Sequence, residues 1–199
     1  METTTQKPSY WQRMFNKKML IQKAVIAAIA LAIVLTLSLS FYFWLHTKPE
    51  GMEIGKNGFW YISIVWNNGF GFNGLAGKTG TIYAIQAIMF VVLLAIYLFL
   101  CQDKITTSFV ALAMFGGLFN LIQRAAESGA NVGCVLDYFA FGFWPSFAIF
   151  NWPDMFVVIG IFGFVISYIV VTILQAKKED RDELIAKHKK EQQKQDGQH

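Results

Sequence analysis

"AVIAAIALAIVLTLSLSFYFWL", residues 24–45, carries no charged side chain from one end to the other. About 20 such residues in a helix match the roughly 30 Å hydrocarbon core of a bilayer, where a chain must satisfy its own backbone hydrogen bonds. Three further stretches have the same character: Thr81 to Leu100, Ile105 to Ile122 and Met155 to Leu174, again without Lys, Arg, Asp or Glu inside. A hydrophobic content of 55% and a mean hydropathy of +0.42 across 199 residues argue against a soluble protein. The expected fold class is an all-α integral membrane protein with four transmembrane helices.

The basic residues orient these spans. Thirteen of the 17 Lys and Arg fall in the N-terminal arm, the "CQDK" connection and the tail; only Lys48, Lys56, Lys78 and Arg124 occupy the other two loops. The positive-inside rule then puts both termini in the cytoplasm and the two longer loops outside. The formal net charge of +4 is a topology signal, and no nucleic-acid partner is expected. The first span lacks a small-residue cleavage site and exceeds a signal-peptide core, so it is read as retained. The chain divides into a cytoplasmic arm (1–23), a membrane domain (24–174) with outer loops 46–80 and 123–153, and a charged cytoplasmic tail (175–199).

The tail mixes basic and acidic residues with few apolar ones and reads as a solvated, fraying extension of the last helix. Cys101 and Cys134 are expected on opposite sides of the bilayer, which argues against their pairing. The scattered histidines His46, His188 and His199 offer no zinc spacing, and no metal or cofactor is expected. In the first outer loop, the β-branched and aromatic run Phe59 to Trp66 breaks at Asn67-Asn68-Gly69, which predicts a short strand and turn at the membrane surface. Trp60, Tyr61 and Trp66 serve as interfacial anchors, and a plain aromatic belt explains them but leaves Asn67 unaccounted for.

The candidate chemistry lies between the third and fourth spans. Asn120 and Arg124 are four residues apart and share a helix face; a helix-helix hydrogen bond and a snorkelling arginine would account for both. Asp137 sits in "GCVLDYF" among apolar neighbours. Asp154 follows Pro153 at the start of the fourth span, where a helix N-terminus favours a carboxylate, so capping alone would explain it. If the two aspartates meet, they cannot both ionise easily: one stays protonated as an acid while the other acts as a base toward water. Nothing in their spacing forces that meeting.

"FNLIQR" (119–124), "VLDYF" (135–139) and "FNWPD" (150–154), with "NNGFGF" (67–72) before them, resemble the motifs N-L-I-D-R, V-x-D-F, F-N-x-A-D and N-x-G-x-A-F of the lipoprotein signal peptidase (signal peptidase II) family. The resemblance runs from about Ile62 to Leu174. It implies an aspartyl endopeptidase of the bacterial cell membrane, needing no cofactor. Its substrates would be diacylglyceryl-modified prolipoproteins, cut before the lipidated cysteine, with membrane lipid around a monomeric enzyme and the active site near the outer face. On this resemblance Asp137 and Asp154 are the catalytic dyad. Asn67, Asn120, Arg124 and Asn151 would position the dyad and the peptide. Gln123 stands where the family has an acid, Pro153 where it has alanine and Tyr138 where it has phenylalanine, and the first helix lacks the family's acidic residue and nearby lysine. Two other readings stay open: a non-catalytic membrane binding or transport subunit whose aspartates are structural caps, and a family member that binds lipidated precursors without cutting them.

Overall fold

The computed structural model describes residues 11–12, 15–70, 74–144 and 147–196, leaving aside the side chains of 189–190 and 193–196. Lys7 and Arg13 of the basic arm, residues 71–73 of the outer-loop motif and His199 lie outside the described residues. Four long helices dominate: α1 (Lys17–Leu45), α2 (Thr79–Phe99), α3 (Lys104–Ala126) and α4 (Trp152–Asp196). All four are long and apolar enough to cross a membrane. Residues such as Ile88, Val91, Phe162 and Ile166 are exposed along their flanks, as a lipid-facing surface requires.

α1 begins earlier than the apolar pattern suggests. Asn16 caps it by accepting from the Met19 amide (2.8 Å), and Lys23 is consequently buried inside the helix. Its ammonium donates to the Leu98 carbonyl (2.7 Å), one of the unpaired acceptors at the C-terminal end of α2. The Tyr97 hydroxyl returns a hydrogen bond to the Lys23 carbonyl (2.5 Å). These contacts adjoin a core of Ala30, Tyr97, Cys101, Val110, Ala111 and Met114 that joins α1, α2 and α3. At the other extreme, α4 continues past Leu174 to Asp196, and the described side chains of 175–188 and 191–192 are exposed.

At the opposite end of the bundle lies an antiparallel sheet in the order β1 (Glu53–Ile54), β2 (Trp60–Asn67), β3 (Val135–Phe141). The first loop supplies β2, the strand expected of Phe59 to Trp66, and also β1, which the sequence reading did not expect; β3 comes from the second loop, so both loops share one sheet. Alternation does not announce β3, because nearly all of it is buried. On one edge β2 pairs with it, placing Val65 opposite Asp137 and Asn67 opposite Val135, and on the other Phe150 bridges Phe139. Leu45, Ile64, Leu136 and Tyr138 pack beneath, fastening sheet to helices.

α3 packs most extensively against α4. At Gly116 the approach is close enough that an added Cβ would lie 2.7 Å from the Pro153 carbonyl oxygen and 3.0 Å from Phe156 Cβ. Gly116→Ala is therefore expected to push the start of α4 outward and to destabilise the bundle by about 1–3 kcal/mol, measured by thermal unfolding in detergent.

Candidate active site

The start of α4 organises the site. An α-helix leaves its first amides without internal partners, and in a buried start each needs another acceptor. Here the Trp152 amide donates to the Tyr138 hydroxyl (3.2 Å), Pro153 has no N–H to satisfy, the Asp154 amide donates to Asn151 Oδ1 (2.9 Å) and the Met155 amide to the Asn151 carbonyl (3.2 Å). Asp154 Oδ2 in turn accepts from the Asn151 amide (3.2 Å), closing a reciprocal capping box. Two departures from the family motifs fit this arrangement: tyrosine at 138 adds an acceptor for a helix donor, and proline at 153 leaves that position with no donor to satisfy.

Asn151 also joins the two aspartates. Its side-chain amide donates to Asp137 Oδ1 (2.8 Å) and to Asn120 Oδ1 (3.1 Å), with a longer contact to the Leu136 carbonyl (3.4 Å). Asn120 Nδ2 donates to Asp154 Oδ1 (2.7 Å), and Asn67 Nδ2 to Asp137 Oδ2 (2.8 Å). Every carboxylate oxygen of the pair thus accepts one N–H, and a single asparagine touches both acids. The cap reading of Asp154 and the helix-helix hydrogen bond expected of Asn120 both hold as geometry, within one shared network.

Asp137 is 2% exposed. Burial, and next the negative charge of Asp154, push its carboxyl well above the usual carboxylate range, against the opposing pull of Asn67, Arg124 and Asn151. The two acids line one chamber of about 460 Å³, a size suited to a ligand, whose walls are mostly apolar and include Trp60, Phe70, Met114 and Phe141.

Arg124 is buried, so it does not snorkel. Its guanidinium donates to the carbonyls of Asn67 (3.1 Å), Gly133 (2.8 Å) and Gly69 (2.5 Å), which clamps the end of β2 to the turn before β3. It thereby holds the backbone carrying Asn67, without a direct bond to either carboxylate. Gln123 points elsewhere, into a narrow space shared with Ser38 and Tyr42, and its Nε2 has no hydrogen-bond partner. All six residues singled out from the sequence therefore belong to one region. Among the described residues, no three His, Cys, Asp or Glu side chains form a metal-binding group. The sequence reading missed Gln86, a lone amide in the second apolar span that also lines the chamber; its only signal was being polar there.

A family model described as signal peptidase (SPase) II matches residues 28–170. The lipoprotein signal peptidase of Malacoplasma penetrans is 34% identical over 176 residues, covering 84% of this chain and 72% of that protein. That of Mycoplasmoides gallisepticum is 29% identical over 131 residues, covering 63% of this chain and 42% of the relative. Among solved structures, a bacterial membrane enzyme determined by the in meso method at 2.3 Å superimposes with a TM-score of 0.61 at 23% identity, covering 75% of this chain and 88% of the other, a likeness of fold. The family match spans all of the sheet-and-dyad region and most of the four-helix bundle: the chain is a membrane protease of the signal peptidase II family.

Proposed function

We propose that the protein removes signal peptides from diacylglyceryl-modified prolipoproteins by an aspartyl mechanism, with Asp137 and Asp154 as the catalytic residues. The observation that carries this reading is the Asn151 bridge, which ties both carboxyl groups into one network at the wall of one chamber. The raised Asp137 carboxyl retains its proton and hydrogen-bonds the scissile carbonyl oxygen. Asp154, at the positive end of α4 and held by Asn120, acts as base. Water attacks the carbonyl carbon, giving a proton to Asp154 while Asp137 protonates the oxygen. The tetrahedral intermediate then collapses: the C–N bond breaks, Asp154 delivers its proton to the departing cysteine nitrogen, and Asp137 recovers its own. Asn67, Asn120 and Asn151 position the dyad, and Arg124 positions the strand end that carries Asn67.

The charge distribution supports both termini in the cytoplasm and the dyad near the outer face, the level at which acyl chains and a signal helix hold a scissile bond. Incubating purified protein with a diacylglyceryl-modified precursor and following its mass tests the reading; an uncut precursor would overturn it. The same assay is expected to give a bell-shaped pH profile, because the active pair holds one shared proton. Activity falls on the acid side as the second carboxylate is protonated and on the alkaline side as the raised carboxyl loses its proton.

A further inference from the structure

Gln86 lies on the chamber wall formed by α2, is 8% exposed, and its Oε1 is sealed off with no hydrogen-bond partner. A buried amide that no protein group holds is costly, and in a membrane helix it calls for a reason. Its level is informative. At about 1.5 Å per residue, Gln86 lies about 10 Å below the start of α2 at Thr79, close to the depth of Asn120 below the end of α3. Asn120 holds Asp154, so Gln86 stands near the level of the dyad.

Past Gln86, Met89, Phe90 and Leu93 follow at i+3, i+4 and i+7 and line the same chamber. They form an apolar stripe that runs from the level of the dyad toward the bilayer midplane, and Gln86 is the polar group at its head. A diacylglyceryl group has the complementary pattern: long alkyl chains with ester oxygens, which only accept hydrogen bonds, a few bonds from the cysteine sulfur. No hydrogen bond to the protein holds the Gln86 amide, and its sealed atom is Oε1, so the part of the group left open to such an acceptor is the Nε2 donor.

We propose that Gln86 donates a hydrogen bond to an ester carbonyl of the substrate's diacylglyceryl group, with an acyl chain laid along Met89, Phe90 and Leu93. Gln86 is thereby a specificity residue for ester-linked lipid, an inference that rests on the function proposed above.

Purified full-length wild type and Gln86→Leu are compared on two precursors, one with ester-linked diacylglyceryl-cysteine and one with the ether-linked dialkyl analogue. The substitution is expected to raise KM for the ester precursor about three- to tenfold, the strength of one hydrogen bond, with kcat nearly unchanged. Wild type should show a similar rise on the ether precursor, and Gln86→Leu no additional one. An equal loss on both precursors would assign Gln86 to the peptide or to the fold, and no loss on the ester would assign it to neither; both outcomes overturn the proposal. Leucine matches glutamine in size and removes an unsatisfied amide, so the variant is expected to fold. A second arm is independent of turnover: a carbon-13-labelled ester carbonyl bound to wild type should absorb at lower wavenumber than when bound to Gln86→Leu, and identical bands overturn the inference. Failure of the aspartyl-peptidase reading looks different, since wild type would then leave both precursors uncut.

Discussion

Asp137→Asn and Asp154→Asn each lower kcat on a lipidated precursor by at least about 10³-fold, because neither amide can carry a proton between water, carbonyl oxygen and leaving nitrogen. For Asp137 the loss comes with a second, opposite signature in stability. Its folded-state carboxyl is raised by burial and by Asp154, whereas in the unfolded chain it titrates near about 3.9. Between those two values the folded state binds more protons than the unfolded state, so this group's contribution to stability falls as pH rises. An asparagine at 137 does not titrate, but it points an NH2 at one of two donors, Asn67 or Asn151, a mismatch costing about 1–3 kcal/mol. The variant is therefore expected to be the less stable protein in acid and to gain on wild type steadily toward neutral pH. Thermal unfolding of both proteins across that range measures it; parallel curves would show that Asp137 is not strained in the native state. Cleavage near the wild-type rate by either variant would end the aspartyl mechanism.

Asn151→Ala has the next largest expected effect, since it removes the residue that caps α4 and touches both acids. Loss of the cap alone costs about 0.5–2 kcal/mol. Asn120 Oδ1 and Asp137 Oδ1 each lose a donor as well, in a place where water does not readily replace it. The rate is expected to fall about 10²-fold, mainly in kcat, from misplacement of the two carboxyls relative to each other. Asn151→Ser separates the contributions: serine is a good helix cap but too short to reach Asp137. It should recover much of the stability and little of the rate. A serine variant with wild-type kcat and an unshifted pH profile would show that the bridge plays no part in positioning the dyad.

Much of the architecture is legible because bilayer physics writes it along the chain. Spans without charge and an uneven division of lysine and arginine follow from the cost of burying charges in lipid and from the surface charge rule. Lys23 marks where that logic is incomplete. Its charge suggests a helix begun outside the membrane, yet the Leu98 carbonyl accommodates it within α1. β3 was hidden for a related reason. A strand covered on both faces loses the alternation by which strands are recognised, so "VLDYFAF" reads as a merely apolar segment. The motif residues were visible as polar side chains in apolar company, and Gln86 escaped because it has no motif around it.

The linear chain determined four spans, the uneven placing of lysine and arginine around them, and the presence of two aspartates whose apolar neighbours make simple solvation costly. Those properties depend on composition and local order, which a sequence carries in full. That Asp137 and Asp154 share one asparagine, that Arg124 holds backbone rather than a carboxylate, and that Pro153 relieves a crowded helix start were decided only by the tertiary structure. They depend on β3 pairing with β2 and on Gly116 letting α4 approach α3, and hydrogen-bond geometry between segments distant in sequence exists only once both packings are made.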